Sequence, residues 1–128
     1  MRVLIAKFTS VIILSMSFIG IANAQPFTFV DIPFKSVTLE PEGGGGKSIK
    51  TFYRFKDDEQ ALVCSVSKTD PAGVWMSWQI DPSLFTMGVL RSYESNTLTP
   101  GSAGPMGYIN FSNKGSFPVQ VSCEYVKK

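Results

Sequence analysis

The side chains that carry most enzyme chemistry are scarce in this sequence. Histidine is absent, which removes the commonest general base and the commonest metal ligand together. Serines are plentiful, but a Ser–His pair is impossible. A Ser–Lys arrangement survives formally, for example with Lys47 or Lys68; Ser65 and Lys68 have the S-x-x-K spacing, but the S-D-N and K-T-G companions of that signature are absent. Paired carboxylates for glycoside chemistry depend on folding and not on spacing, so the sequence leaves them open, yet a cleft for a polymer is hard to fit into a chain this short. Gly43-Gly44-Gly45-Gly46-Lys47-Ser48 ends like a phosphate-binding loop, but Pro41 stands where the first glycine of that pattern belongs. The following residues, Ile49 to Phe55, read as a strand, whereas a phosphate site needs a helix N-terminus there. The glycines are therefore expected to form a flexible linker, or a loop that orders on a partner. Asp57-Asp58-Glu59 lacks the alternating spacing of a calcium loop and reads as a solvated turn. No catalytic residue, metal site or cofactor is expected.

Two cysteines and a few aromatic residues remain as candidates. Cys64 and Cys123 are the only cysteines. Residues 1–24 have the three parts of a secretory leader: Arg2 and Lys7, an uncharged and mostly apolar run from Phe8 to Ile21, and Ala22-Asn23-Ala24 as a small-x-small cleavage site. The apolar run is short for a membrane span and is interrupted by Ser15 and Ser17. The brief leader with its Ala-x-Ala end is bacterial in type. It predicts cleavage after Ala24, no stable membrane span afterwards, and a working chain from Gln25 to Lys128 in the periplasm or the medium. In an oxidising compartment the two cysteines are expected to pair. They are too far apart for a redox-active Cys-x-x-Cys, so the disulfide is expected to be structural.

The elements that position these residues read as strands. Short runs rich in Val, Ile, Phe, Tyr and Thr, separated by Gly, Pro, Asp and Asn, predict eight strands near 27–31, 35–40, 49–56, 61–68, 74–80, 86–92, 106–112 and 117–126. Asp81-Pro82-Ser83 is an alternative start for one helical turn. The fold class is all-β, an antiparallel sandwich of immunoglobulin-like or jelly-roll-like type, with residues 25–128 as one domain.

Alternation assigns faces within the strands. Leu62, Cys64 and Val66 share one side, as do Val119, Val121, Cys123 and Tyr125, so both cysteines point at the core and suit a core-crossing disulfide. Val74, Met76, Trp78 and Ile80 point inward, leaving Trp75, Ser77 and Gln79 outward; Tyr108 and Asn110 oppose Ile109 and Phe111 in the same way. Asp70-Pro71-Ala72-Gly73 has turn chemistry, and a bulged three-residue loop predicts a hairpin pairing Val66 with Trp78 and Cys64 with Ile80. Asn113-Lys114-Gly115 predicts a second hairpin pairing Phe111 with Phe117 and Ile109 with Val119. Cys64, a tryptophan at 75 or 78, and Cys123 follow the Cys–Trp–Cys order of immunoglobulin domains, and the chain resembles that fold in these landmarks. It departs from it at Val121, where the fold has a tyrosine, and in the few residues after Cys123.

Composition bounds the partners. The 128 residues are 44% hydrophobic and 17% charged, with 12 basic and 10 acidic side chains, as in an ordinary globular chain. Two of the basic residues, Arg2 and Lys7, lie in the leader, so the remainder is formally neutral. Neutrality gives no footprint for nucleic acid or for a membrane surface. An outward Trp75 beside Tyr108 and Asn110 is the type of face that recognises protein or sugar. The long polar stretch Ser92 to Gly107 is expected to form a binding rim together with the glycine loop. The function expected is a non-catalytic binding module for an envelope or extracellular protein or glycan. The alternatives are a structural subunit donating its N-terminal strand, Gln25 to Phe34, to a neighbour, or an inhibitor of an enzyme.

Overall fold

The computed structural model describes residues 27–81 and 84–128; the leader expected at residues 1–24 lies outside them. Nine strands occur among the described residues: β1 (Phe27–Phe29), β2 (Phe34–Leu39), β3 (Ser48–Arg54), β4 (Gln60–Val66), β5 (Val74–Asp81), β6 (Leu84–Leu90), β7 (Ser95–Leu98), β8 (Met106–Asn113) and β9 (Val119–Lys127). A single helical turn, α1 (Pro100–Ala103), precedes β8. The strands form two sheets, one ordered β1-β3-β8-β5-β6 and the other β2-β9-β4-β7. Every pairing is antiparallel except that of β1 with β3. The fold is the expected all-β sandwich.

The strand that was not foreseen is β7. Ser-Asn-Thr-Leu is short and polar because it is an edge strand whose Ser95 and Thr97 face outward. It divides the stretch from Ser92 to Gly107, which is therefore not one loop. Thr99 caps α1 through reciprocal bonds with Ser102, and Pro100 takes the first helical position. Asp81 ends β5 as strand; the rest of the alternative helical turn, residues 82–83, lies outside the described residues.

Both predicted hairpins are overturned. β4 and β5 lie in different sheets, as do β8 and β9. Val66 is paired with Val121 and Cys64 with Cys123, while Trp78 and Met76 pair with Ile109 and Phe111. The reason is geometric: two strands that each turn an apolar side to the core satisfy a hairpin and a sheet-to-sheet crossing equally well. Matching apolar faces therefore did not fix the partner. The local turn chemistry holds all the same. The Gly73 amide donates to the Asp70 carbonyl at 3.0 Å, and Gly73 has φ 73° where a Cβ would come within 2.7 Å of the Leu90 carbonyl oxygen. Only glycine fits that position.

The disulfide joins β4 to β9, directly opposed neighbours within the four-stranded sheet. It faces the core, with both cysteines fully buried, but it does not cross the core from sheet to sheet. This departs from the immunoglobulin landmark, whose cystine links the two sheets. It belongs to one buried core with Leu39, Ile49, Tyr53, Leu62, Met76 and Phe111.

Polar anchors hold the crossings. Asn113, almost fully buried, donates to the carbonyls of Leu39 at 2.9 Å and Phe117 at 2.8 Å, and accepts from the Gly115 amide at 2.9 Å. Asp70 accepts from the Ser116 amide at 2.7 Å, the Ser116 hydroxyl at 3.0 Å and the Ala72 amide at 2.9 Å. It thus laces the β4–β5 crossing to the β8–β9 crossing. The Ser116 hydroxyl, with the backbone amides behind it, holds the Asp70 carboxyl below its ordinary range.

Two outcomes follow from these anchors. Cys64→Ala/Cys123→Ala should lose about 2–5 kcal/mol of unfolding free energy, read from urea midpoints, because a loop of about 60 residues is no longer closed in the unfolded chain. Since the folded-state pKa of Asp70 is depressed, its stabilisation is complete above the ordinary carboxylate value of 3.8 and is lost as pH falls through the lower folded value. Urea midpoints at stepped pH should show this acid limb in the parent and a smaller one in Asp70→Asn, which should also be less stable at neutral pH.

Candidate functional site

The outer side of the five-stranded sheet is built by plain alternation. On β8, Ile109 and Phe111 are fully buried, so Tyr108 and Asn110 between and beside them turn outward. On β5, Val74 and Met76 are fully buried and Trp75 turns outward. The register then places Ser112 beside Trp75 and Val89 on its other side, and sets Asn110 between Lys50 and Ser77. Trp75, Tyr108 and Asn110 thus share one face of one sheet, on adjacent strands. Trp75 is 40% and Tyr108 43% exposed. Tyr108 lies four residues from Ser112, the neighbour of Trp75, so the two rings stand roughly 14 Å apart along the strands.

Basic side chains fix both rings. The Lys50 ammonium sits 5.0 Å from the centre of Tyr108 and 4.9 Å from that of Phe27, a cation–π arrangement. Phe52 meets Tyr108 edge to face with centroids 5.3 Å apart. Lys114 stands 4.8 Å from the centre of Trp75 and pairs with Glu42 at 2.5 Å. That pair is partly exposed and contributes little to stability. Its consequence is positional, since it joins the glycine turn to the Trp75 end of the face.

The glycine segment is not a flexible linker. Glu42–Gly44 forms one 3-10 turn, and the amides of Gly44, Gly45 and Gly46 donate to the carbonyls of Pro41, Glu42 and Pro41. It lies beside the β8–β9 crossing through the Pro41–Asn113 bridge, whereas α1 lies at the opposite end, against Tyr53 and Gln79. There the Tyr53 hydroxyl is directed at the carbonyls of Gln79, at 2.9 Å, and Ala103. Burial, with Tyr125 nearby, pushes the Tyr53 pKa up, which keeps the hydroxyl a donor. The glycine turn and α1 thus lie at opposite ends and form no common rim. Asp57-Asp58-Glu59 is the expected exposed turn, with the Asp57 carboxylate accepting from the Glu59 amide at 2.8 Å.

Several members of the face escaped the alternation argument. Phe85 and Met87 on β6 are 61% and 55% exposed, and Phe29 and Met106 add to them. The run from Leu84 to Leu90 is apolar at nearly every position, so period-two reasoning does not separate its sides. The discriminating signal is size. Trp78 lies across the inner side of β6, its ring 3.8 Å from the place a Gly88 Cβ would take. Small Thr86 and Gly88 take the inward positions near that ring, Leu90 is buried on the same side, and Phe85, Met87 and Val89 turn outward. The outer side of the other sheet contrasts with this, presenting Thr38, Ser65, Ser95, Thr97, Gln120 and Ser122. Among the described residues no cluster of three or more His, Cys, Asp and Glu is placed to hold a metal ion.

The two sides of β5 should respond differently to truncation. Trp75→Ala and Tyr108→Ala should each change stability by less than about 1 kcal/mol, whereas Met76→Ala, one position along and fully buried, should cost about 2–5 kcal/mol. Urea unfolding of the three variants checks the assignment. Compared with known protein families, curated proteins and solved structures, the chain finds no match in any of the three.

Proposed function

We propose that the protein is an exported, non-catalytic binding module that meets an envelope or extracellular protein or glycan through the outer face of its five-stranded sheet. The observation that carries this reading is the inequality of the two outer faces. One is rich in hydroxyls, with Val63 and Val126 as its apolar members; the other exposes Phe29, Trp75, Phe85, Met87, Met106 and Tyr108. So many large apolar side chains exposed on one side of one sheet are unusual on a chain that works alone. Tryptophan and tyrosine are the residues that most often dominate recognition energy, and here each is held by a lysine.

Export is supported by the leader pattern and by the buried disulfide, which belongs to an oxidising compartment. Among the described residues no helix is long and apolar enough to cross a membrane. The alternative of a donated N-terminal strand gains less support, because Phe27–Phe29 is seated on its own chain, parallel to β3.

Tagged protein and its Trp75→Ala/Tyr108→Ala variant, each incubated with detergent-solubilised envelope and with culture medium, provide the test. The parent should retain a component that the variant binds about 30-fold or more weakly, as expected on losing two aromatic anchors. Equal retention by both forms would move the binding site off this face.

A further inference from the structure

We infer that the free edge of β6 pairs with β6 of a second copy, antiparallel about a two-fold axis at Met87, so that two five-stranded sheets join into one. The inference concerns an edge of the sandwich and does not depend on what the outer face binds. It starts from the four edge strands, β1 and β6 in one sheet and β2 and β7 in the other. Sheet edges carry unpaired backbone groups that recruit other strands unless they are short, bulged or charged.

Three of the edges have such protection. β1 has three residues and β7 four. β2 is bulged: Lys35 and Ser36 together oppose Ser122, Ser36 takes φ 55°, and its amide is engaged by the Ser122 hydroxyl at 2.9 Å. β6 has none of these devices. Its seven residues, Leu-Phe-Thr-Met-Gly-Val-Leu, contain no charge and no proline, and its pairing with β5 is in unbroken register from Phe85 to Leu90. Among the described residues it pairs with β5 alone.

The occupant follows from the sequence of the edge itself. An isologous contact requires a surface complementary to its own copy. Antiparallel pairing centred on Met87 sets Met87 against Met87, Thr86 against Gly88, Phe85 against Val89 and Leu84 against Leu90. Each larger side chain at the inner pairs then meets a smaller one, and outward residues meet outward residues. A slip of one residue would set outward against inward side chains. A slip of two toward the C-terminus would bring Arg91 opposite Phe85 and Val89 opposite Met87. Phe85 and Met87, the most exposed apolar residues on the strand, become flanked on both sides.

The test uses the full chain expressed for export, so that its disulfide forms. Sedimentation equilibrium from micromolar to high-micromolar concentration should show a monomer–dimer equilibrium. Met87→Lys places two ammonium groups opposite each other and should weaken the dimer about tenfold or more, whereas Thr97→Lys on β7 should leave it unchanged. Met87→Cys should form a chain-to-chain disulfide under mild oxidation that Thr97→Cys does not form, and this reports the axis even if the lysine variant folds poorly. A monomer at every concentration overturns the proposal, as do open-ended oligomers. So does a dimer that Met87→Lys leaves intact and Met87→Cys fails to link.

Discussion

Nearly every connection in this protein must carry the chain from one sheet to the other, and that single constraint shapes the rest. Only β5 and β6 are consecutive in sequence and adjacent in a sheet. Everywhere else the next strand lies across a core about 10 Å thick, so the backbone passes over the ends of the sandwich. Polar main-chain groups at those ends need partners that sheet ladders do not provide. Asn113 and Asp70 supply them at the Trp75 end, and Tyr53 with capped α1 does so at the other. Asn113 and Asp70 are short polar side chains near loop–strand junctions, Tyr53 reaches across with its hydroxyl, and each engages two or more groups.

Those crossings place β8 at the centre of one sheet and β9 and β4 at the centre of the other. The central strands carry most of the fully buried residues, including the cystine, Leu62, Ile109 and Phe111. With the core closed from inside, the outer faces are free to differ. One is mostly polar, with Val63 and Val126 as its apolar members. The other gathers aromatic and thioether side chains from all five of its strands, with lysines beside the rings in place of acidic groups.

Much of this was legible in the chain. Alternation assigned Cys64, Cys123, Val74, Met76, Ile109 and Phe111 to the core and turned Trp75, Tyr108 and Asn110 outward, because a strand leaves its side chains no other choice. Strand partners were not legible. The pattern of β4 and β5 fits a hairpin as well as a crossing, and only the assembled sandwich selects between them. β7 was hidden by its polarity, which belongs to its place at an edge. The outward set of Phe85 and Met87 was hidden for the opposite reason: β6 is apolar on both sides, and its facing follows from Trp78 lying against Gly88 and from the burial of Leu90. The four glycines read as slack, yet they form an ordered turn, since local composition does not reveal a neighbouring strand end.

The cystine also divides the chain into a protected interior and two tails. Trp75, Met87 and Tyr108 all fall inside the covalent loop between Cys64 and Cys123, a separation of 59 residues. A protease that nicks any turn within that loop leaves both fragments tethered through β4 and β9. A pulling load applied at the two termini likewise runs through the sulfur bridge and bypasses the loop, withholding about 200 Å of extensible chain. β5, β6 and β8, which bear Trp75, Met87 and Tyr108, are therefore shielded from tension that would peel β1 and β3, outside the loop, away from them.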